Sequence, residues 1–74
     1  MPPRVNVRIK ATEVRLIDEH GTDLGVFSLS DALALAQAHE KDLVEIDPES
    51  IPPLCRVIDY GRYQFQIRER RKHE

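Results

Sequence analysis

The side chains best suited to chemistry gather near the C-terminal end. Arg62, Arg68, Arg70, Arg71 and Lys72 accompany two tyrosines, Tyr60 and Tyr63. Guanidinium and ammonium groups neutralise phosphates, and a tyrosine ring offers a face on which an exposed base can stack. The chemistry of this run is the binding of a polyanion, largely through electrostatics that ignore base sequence. The same tyrosines could equally pack against protein, and residue type alone leaves both readings open.

No other group of residues suggests chemistry on a bond. His20, His39 and His73 fall in a turn, at a helix end and in the tail, and none stands at metal-ligand spacing from another or from Cys55. Cys55 sits among apolar neighbours, as a small core residue does, rather than as a nucleophile. Gly21 and Gly25 belong to no phosphate-binding loop pattern. No catalytic residue, metal or cofactor is expected.

Charge is segregated along the 74 residues. Residues 1–10 carry Arg4, Arg8 and Lys10 and no acid; residues 11–55 carry Arg15 and Lys41 against ten acids; residues 56–74 carry six bases against Asp59, Glu69 and Glu74. Basic ends on an acidic body fit contact with a polyanion through the ends, or charged tails kept for solubility. The acids of the middle are spread over strands and helix, as on a solvated surface. The length allows one small domain with a simple core. No apolar run approaches the roughly 20 residues that cross a bilayer, and the first residues lack the apolar stretch of a secretory signal. One cysteine fits a reducing cytoplasm.

The elements that must position the basic ends follow from periodicity. Val5, Val7 and Ile9 alternate with Asn6, Arg8 and Lys10, which predicts an extended arm over 1–12 whose apolar row packs on the body. Glu13 to Asp18 is a strand, and residues 19–23 are a turn in which Gly21 supplies a positive φ. Leu24 to Phe27 returns as the second strand of a hairpin. Ser28-Leu29-Ser30-Asp31 reads as a capping box, with the acid reaching back to the serine. The helix it opens runs to about His39, with Leu29, Ala32, Leu33 and Ala36 on one face and Leu35 beside them. Leu43 to Ile46 and Leu54 to Ile58 are strands separated by a proline-rich loop. The β-β-α-β-β order predicts an α+β, two-layer domain over 13–59, β-grasp-like, with a four-stranded mixed sheet and one packed helix. Asp59 can cap a further helix over 60–74, basic, with Tyr60, Tyr63 and Ile67 on its apolar side.

The run Pro52-Pro53-Leu54-Cys55-Arg56-Val57-Ile58-Asp59-Tyr60-Gly61-Arg62-Tyr63 resembles the signature that closes the N-terminal domain of bacterial translation initiation factor three. Arg4-Val5-Asn6, the stretch Glu13 to Asp18, Leu24-Gly25-Val26, Ser28-Leu29, Ala32-Leu33, Ala36, the stretch Asp42 to Ile46 and Pro48 extend the resemblance from about Arg4 to Tyr63. It implies a non-catalytic, monomeric cytoplasmic protein. Such a protein binds the small ribosomal subunit, both rRNA and ribosomal proteins, with initiator tRNA nearby. It supports start-codon selection and subunit separation together with a C-terminal domain that this stretch lacks, so the chain is expected to be a fragment. It assigns ribosome contact to Arg4, Asn6, Arg8 and Lys10 and to Tyr60, Arg62 and Tyr63, makes 60–74 the start of a linker helix, and suggests Gly61 as a hinge. Arg68, Arg70, Arg71 and Lys72 join the binding set on charge alone. The chain departs from the family pattern at Val7-Arg8, where an acid is usual after Asn6, at Lys10, where Arg is common, and at Glu40, where Gly usually closes the helix. Without that glycine the helix is expected to end differently or run slightly longer. Two rival readings are a ubiquitin-like β-grasp protein, against which stands the absence of a terminal Gly-Gly, and an adaptor that uses the acidic middle to bind a basic protein.

Overall fold

Alternation along the strands and the helical spacing of the alanines divide the chain into two layers. The computed structural model describes residues 3–65. Its elements are a 3-10 turn Asn6–Arg8, β1 Glu13–Ile17, β2 Asp23–Ser28, α1 Leu29–Ala38, β3 Asp42–Asp47 and β4 Leu54–Ile58. The sheet order is β2-β1-β4-β3, with β1 and β4 parallel at the centre and antiparallel partners outside. This is the expected four-stranded mixed sheet with one helix over it.

Period-two burial explains the sheet. Val14 and Leu16 point to α1 and are fully buried, as are Cys55 and Val57 in β4 and Leu43 in β3. Ala32 and Ala36 bring the helix close to the sheet, and Leu29, Leu33, Leu35 and Phe27 close the sides of this core. Among the described residues no helix is long and apolar enough to cross a membrane.

The β1–β2 turn is built by Asp18, whose Oδ1 accepts from the backbone N–H of Thr22 and of His20, each at 2.9 Å. Those donors, Thr22 foremost, hold its carboxyl below the usual carboxylate range. Gly21 takes φ +89 there, as expected. Within β2, Gly25 at φ +91 lets the strand step past Leu24, so that Leu16 faces Gly25 while Ile17 faces Asp23.

Three expectations need correction. Ser28 does cap α1, its Oγ accepting the Asp31 N–H at 3.1 Å, but no return bond from the Asp31 side chain forms among the described residues, aspartate being one methylene shorter than the Glu of a full box. Helix α1 does not end in a different way for want of glycine. Lys41 N–H bonds Ala36 O at 2.9 Å and Glu40 N–H bonds Gln37 O at 3.0 Å, which is the Schellman pattern with Glu40 itself at φ +56. A side chain in that region costs about 1 kcal/mol. Glu40→Gly is therefore expected to raise stability by up to about 1 kcal/mol, seen as a melting temperature higher by about 4–8 °C.

The third correction concerns the arm and the acids. Ile9 is buried in the core, but Val7 is 86% exposed. The extended alternation breaks because Asn6 turns into the left-handed region, φ +55, and starts the 3-10 turn. Nor are the middle acids all solvated: Glu45 is 4% exposed, with Arg4 Nη1 3.6 Å from its Oε1.

Candidate nucleic-acid interface

The site forms where β4 runs out. Pro53 leads in, its carbonyl accepting the Arg15 N–H at 2.9 Å and fixing the parallel pairing of β1 with β4. At the far end Asp59 turns the chain into a helical stretch described over 60–65. Its Oδ1 accepts the Arg62 N–H at 3.2 Å and its carbonyl accepts the Tyr63 N–H at 2.9 Å, so it is the cap that the sequence suggested. Tyr60 and Tyr63, three apart and half-buried, stack with ring centroids 6.5 Å apart at 25°. Gly61 is exposed, and a Cβ there would meet Asp59 Oδ1 at 3.4 Å.

A cleft of about 280 Å³ opens beside this stretch. Lys41, Arg56 and Arg62 supply three positive charges to its lining, Glu19 and Asp59 two acids, and Tyr63 and Ile58 its apolar part. Arg56 Nη2 donates to the Glu19 carbonyl at 3.3 Å, while its Nε is buried and has no partner among the described residues. A buried donor left unpaired costs about 1–3 kcal/mol. An oxyanion in the cleft would find the Lys41, Arg56 and Arg62 cations along its wall, partly offset by the acids Glu19 and Asp59.

The N-terminal segment lies along the outer side of β3. The Arg4 carbonyl accepts the Glu45 N–H at 2.9 Å, Val5 bridges Val44, and Asn6 Oδ1 accepts the Leu43 N–H at 2.8 Å. Asn6 Nδ2 donates to Asp42 Oδ1 at 3.0 Å, and Asp42 Oδ2 accepts the Tyr60 N–H at 3.1 Å. One carboxylate thus brings the arm and the start of the last helix together. Arg8 and Lys10 are exposed and in no ion pair among the described residues.

Of the residues named from sequence, the structure gathers Arg62 and Tyr63 at the cleft and sets Asn6 and Tyr60 on opposite oxygens of Asp42. Arg4 is held half-exposed against Glu45. Arg68, Arg70, Arg71 and Lys72 lie outside the described residues, as does Ile67. Lys41, Arg56 and Asp42 were missed. Arg56 was in view as part of the closing signature, but nothing local told it apart from a strand's surface arginine.

Other chemistry finds little support. Cys55 is fully buried, and its thiol is pushed up to about 12 by burial, with Glu45 adding to the effect, so it is protonated at neutral pH. Among the described residues no cluster of His, Cys, Asp or Glu is arranged to hold a metal ion.

Comparison with known proteins agrees with the closing signature. The family model described as translation initiation factor IF-3, N-terminal domain, matches residues 5–74. The chain is 53% identical over 64 residues to translation initiation factor IF-3 of Xanthobacter autotrophicus, covering 86% of this chain and 37% of that protein. It is 50% identical over 68 residues to the factor of Neisseria meningitidis serogroup C, covering 92% and 39%, and 44% identical over 78 residues to that of Geobacter sulfurreducens, covering 97% and 45%. The chain therefore spans less than half the length of each of these relatives. Matched along nearly its whole extent, it belongs to the translation initiation factor IF-3 family, in the region of that family's N-terminal domain.

Proposed function

We propose that this chain acts in translation initiation by binding the small ribosomal subunit, without making or breaking a bond. The observation that carries the reading is the cleft in which Lys41, Arg56 and Arg62 converge. Such a cleft suits a phosphate of RNA: three cations outnumber the two acids Glu19 and Asp59, and the Tyr63 ring stands beside them. The basic arm extends the surface, with Arg4, Arg8 and Lys10 as its contacts and Asn6 as the residue that holds it down. On this reading residues 1–12 are the arm, 13–59 the body, and 60–74 the start of a linker helix whose Arg68, Arg70, Arg71 and Lys72 add phosphate contacts, with Gly61 as its hinge. Support for initiator tRNA and start-codon selection, and for subunit separation, would come with the remainder of a longer protein. The chain would act as a cytoplasmic monomer.

The test is binding to purified small subunits as salt is raised. Neutralising about three phosphates at the cleft alone predicts an affinity about 20- to 40-fold lower at about 200 mM than at about 50 mM salt, and contacts from the arm and the basic helix would steepen the fall. An affinity that stays level over that range would remove phosphate contact from the account, and retention of basic proteins in place of subunits would favour an adaptor.

A further inference from the structure

Asp42 stands first in β3 and opposite Ile58, the last residue of β4, which places its half-buried carboxylate beside the start of the last helix. Two acids hold that start. Asp59 accepts from Arg62, but Asp59 is joined to the helix and turns with it. Asp42 accepts from Tyr60 at 3.1 Å and belongs to the sheet, so it is the one that can set the direction of the helix against the body. What sets Asp42 is Asn6. Its carboxamide straddles the strand, Nδ2 on Asp42 Oδ1 at 3.0 Å and Oδ1 on the Leu43 N–H at 2.8 Å. Asn6 can do so because it tolerates φ +55 better than other side chains. Among the described residues no hydrogen bond runs directly from the arm to the 60–65 stretch.

We infer that Asp42 is a positioning residue that couples docking of the N-terminal arm to the placement of the helix start, and through it to the Arg62 and Tyr63 wall of the cleft. The chemistry needs a carboxylate. Both oxygens accept, so one can serve Asn6 while the other serves Tyr60; an amide at this position has one acceptor and sets a donor against a donor. When Asn6 lets go, the carboxylate is free to rotate toward water and its hold on Tyr60 weakens. The consequence for RNA rests on the binding reading above. The coupling itself does not, and it can be measured without RNA.

The experiment is amide hydrogen exchange by NMR on the 74-residue chain. Asn6→Asp keeps an oxygen for Leu43 and tolerates the left-handed backbone, but replaces the donor to Asp42 with a carboxylate oxygen that repels it. It is expected to speed exchange at Tyr60 by about 5- to 10-fold, in line with loss of one favourable hydrogen bond, while Val14 and Leu16 stay protected. Val7→Ser, on the same segment but exposed, is expected to leave Tyr60 unchanged. In an Asp42→Ala background Asn6→Asp should add less than about 2-fold at Tyr60. Unchanged exchange at Tyr60 in Asn6→Asp, or the same acceleration with Asp42 absent, would overturn the proposal. Should Asn6→Asp loosen Val14 and Leu16 as well, Asp42→Asn decides: its single acceptor must release Asn6 or Tyr60, and undisturbed signals of both groups would refute the coupling. Small-subunit binding measured alongside separates the two claims. Faster exchange at Tyr60 supports the coupling whether or not binding changes, whereas a level salt response of the unmutated chain sinks only the RNA reading.

Discussion

A chain carrying Arg56→Met and Arg62→Ala is expected to bind small ribosomal subunits about 100-fold more weakly than the parent. The two guanidinium groups line one cleft, and a hydrogen bond between charged groups contributes about 1.5–3 kcal/mol. Taking the low end for each reaches two decades in affinity. Methionine keeps most of the aliphatic stem of Arg56 and removes its unpaired buried Nε along with its bond to the Glu19 carbonyl, and Arg62 is exposed, so the melting temperature should not fall. The slope of log affinity against log salt should also flatten by about 2, because two phosphate contacts are gone. Parent-strength binding by this variant would place the contact surface elsewhere.

Leu16→Ala is expected to cost about 3 kcal/mol and lower the melting temperature by roughly 15 °C. Leu16 is, with Leu43, the largest of the fully buried side chains, at 0% exposure, and lies in a central strand between Gly25 and Cys55. Glycine on one side and a small thiol on the other cannot close over the void. Much of a small domain's stability, about 5–15 kcal/mol in all, would be lost. Val26→Ala, on the opposite face and 49% exposed, should cost under about 1 kcal/mol. Equal losses in the two variants, measured by thermal or urea unfolding, would show that the core does not lie between α1 and the sheet.

The strands and α1 were readable because their causes are local. Val14 and Leu16 two apart, Ala32 and Ala36 four apart, and serine at the head of the helix each declare an element without knowledge of its neighbours. The closing signature was readable in the same way, as a contiguous string. The cleft was not, because Lys41, Arg56 and Arg62 come from three places in the chain and meet only through the antiparallel pairing of β3 with β4 and the turn at Asp59. Asp42 looked like one acid among ten. Its importance comes from two donors that approach from opposite ends of the sequence. The arm misled for a related reason. Val5, Val7 and Ile9 have the spacing of a strand, but the left-handed Asn6 breaks the alternation at Val7 and uses its side chain where a backbone would otherwise pair.

That substitution of side chain for backbone has a bearing on solubility. An outermost strand offers every second amide to any passing chain, and unsheathed rims of this kind seed intermolecular β-stacking. In β3 the outward amides of Leu43 and Glu45 are already occupied, by the Asn6 carboxamide and the Arg4 carbonyl. The opposite rim, β2, carries the Gly25 kink and the Arg15–Asp23 ion pair at 2.8 Å, both of which discourage a flat, uncharged template. The segment from Arg4 to Asn6 therefore also acts as a sheath, keeping one molecule from annealing to the next.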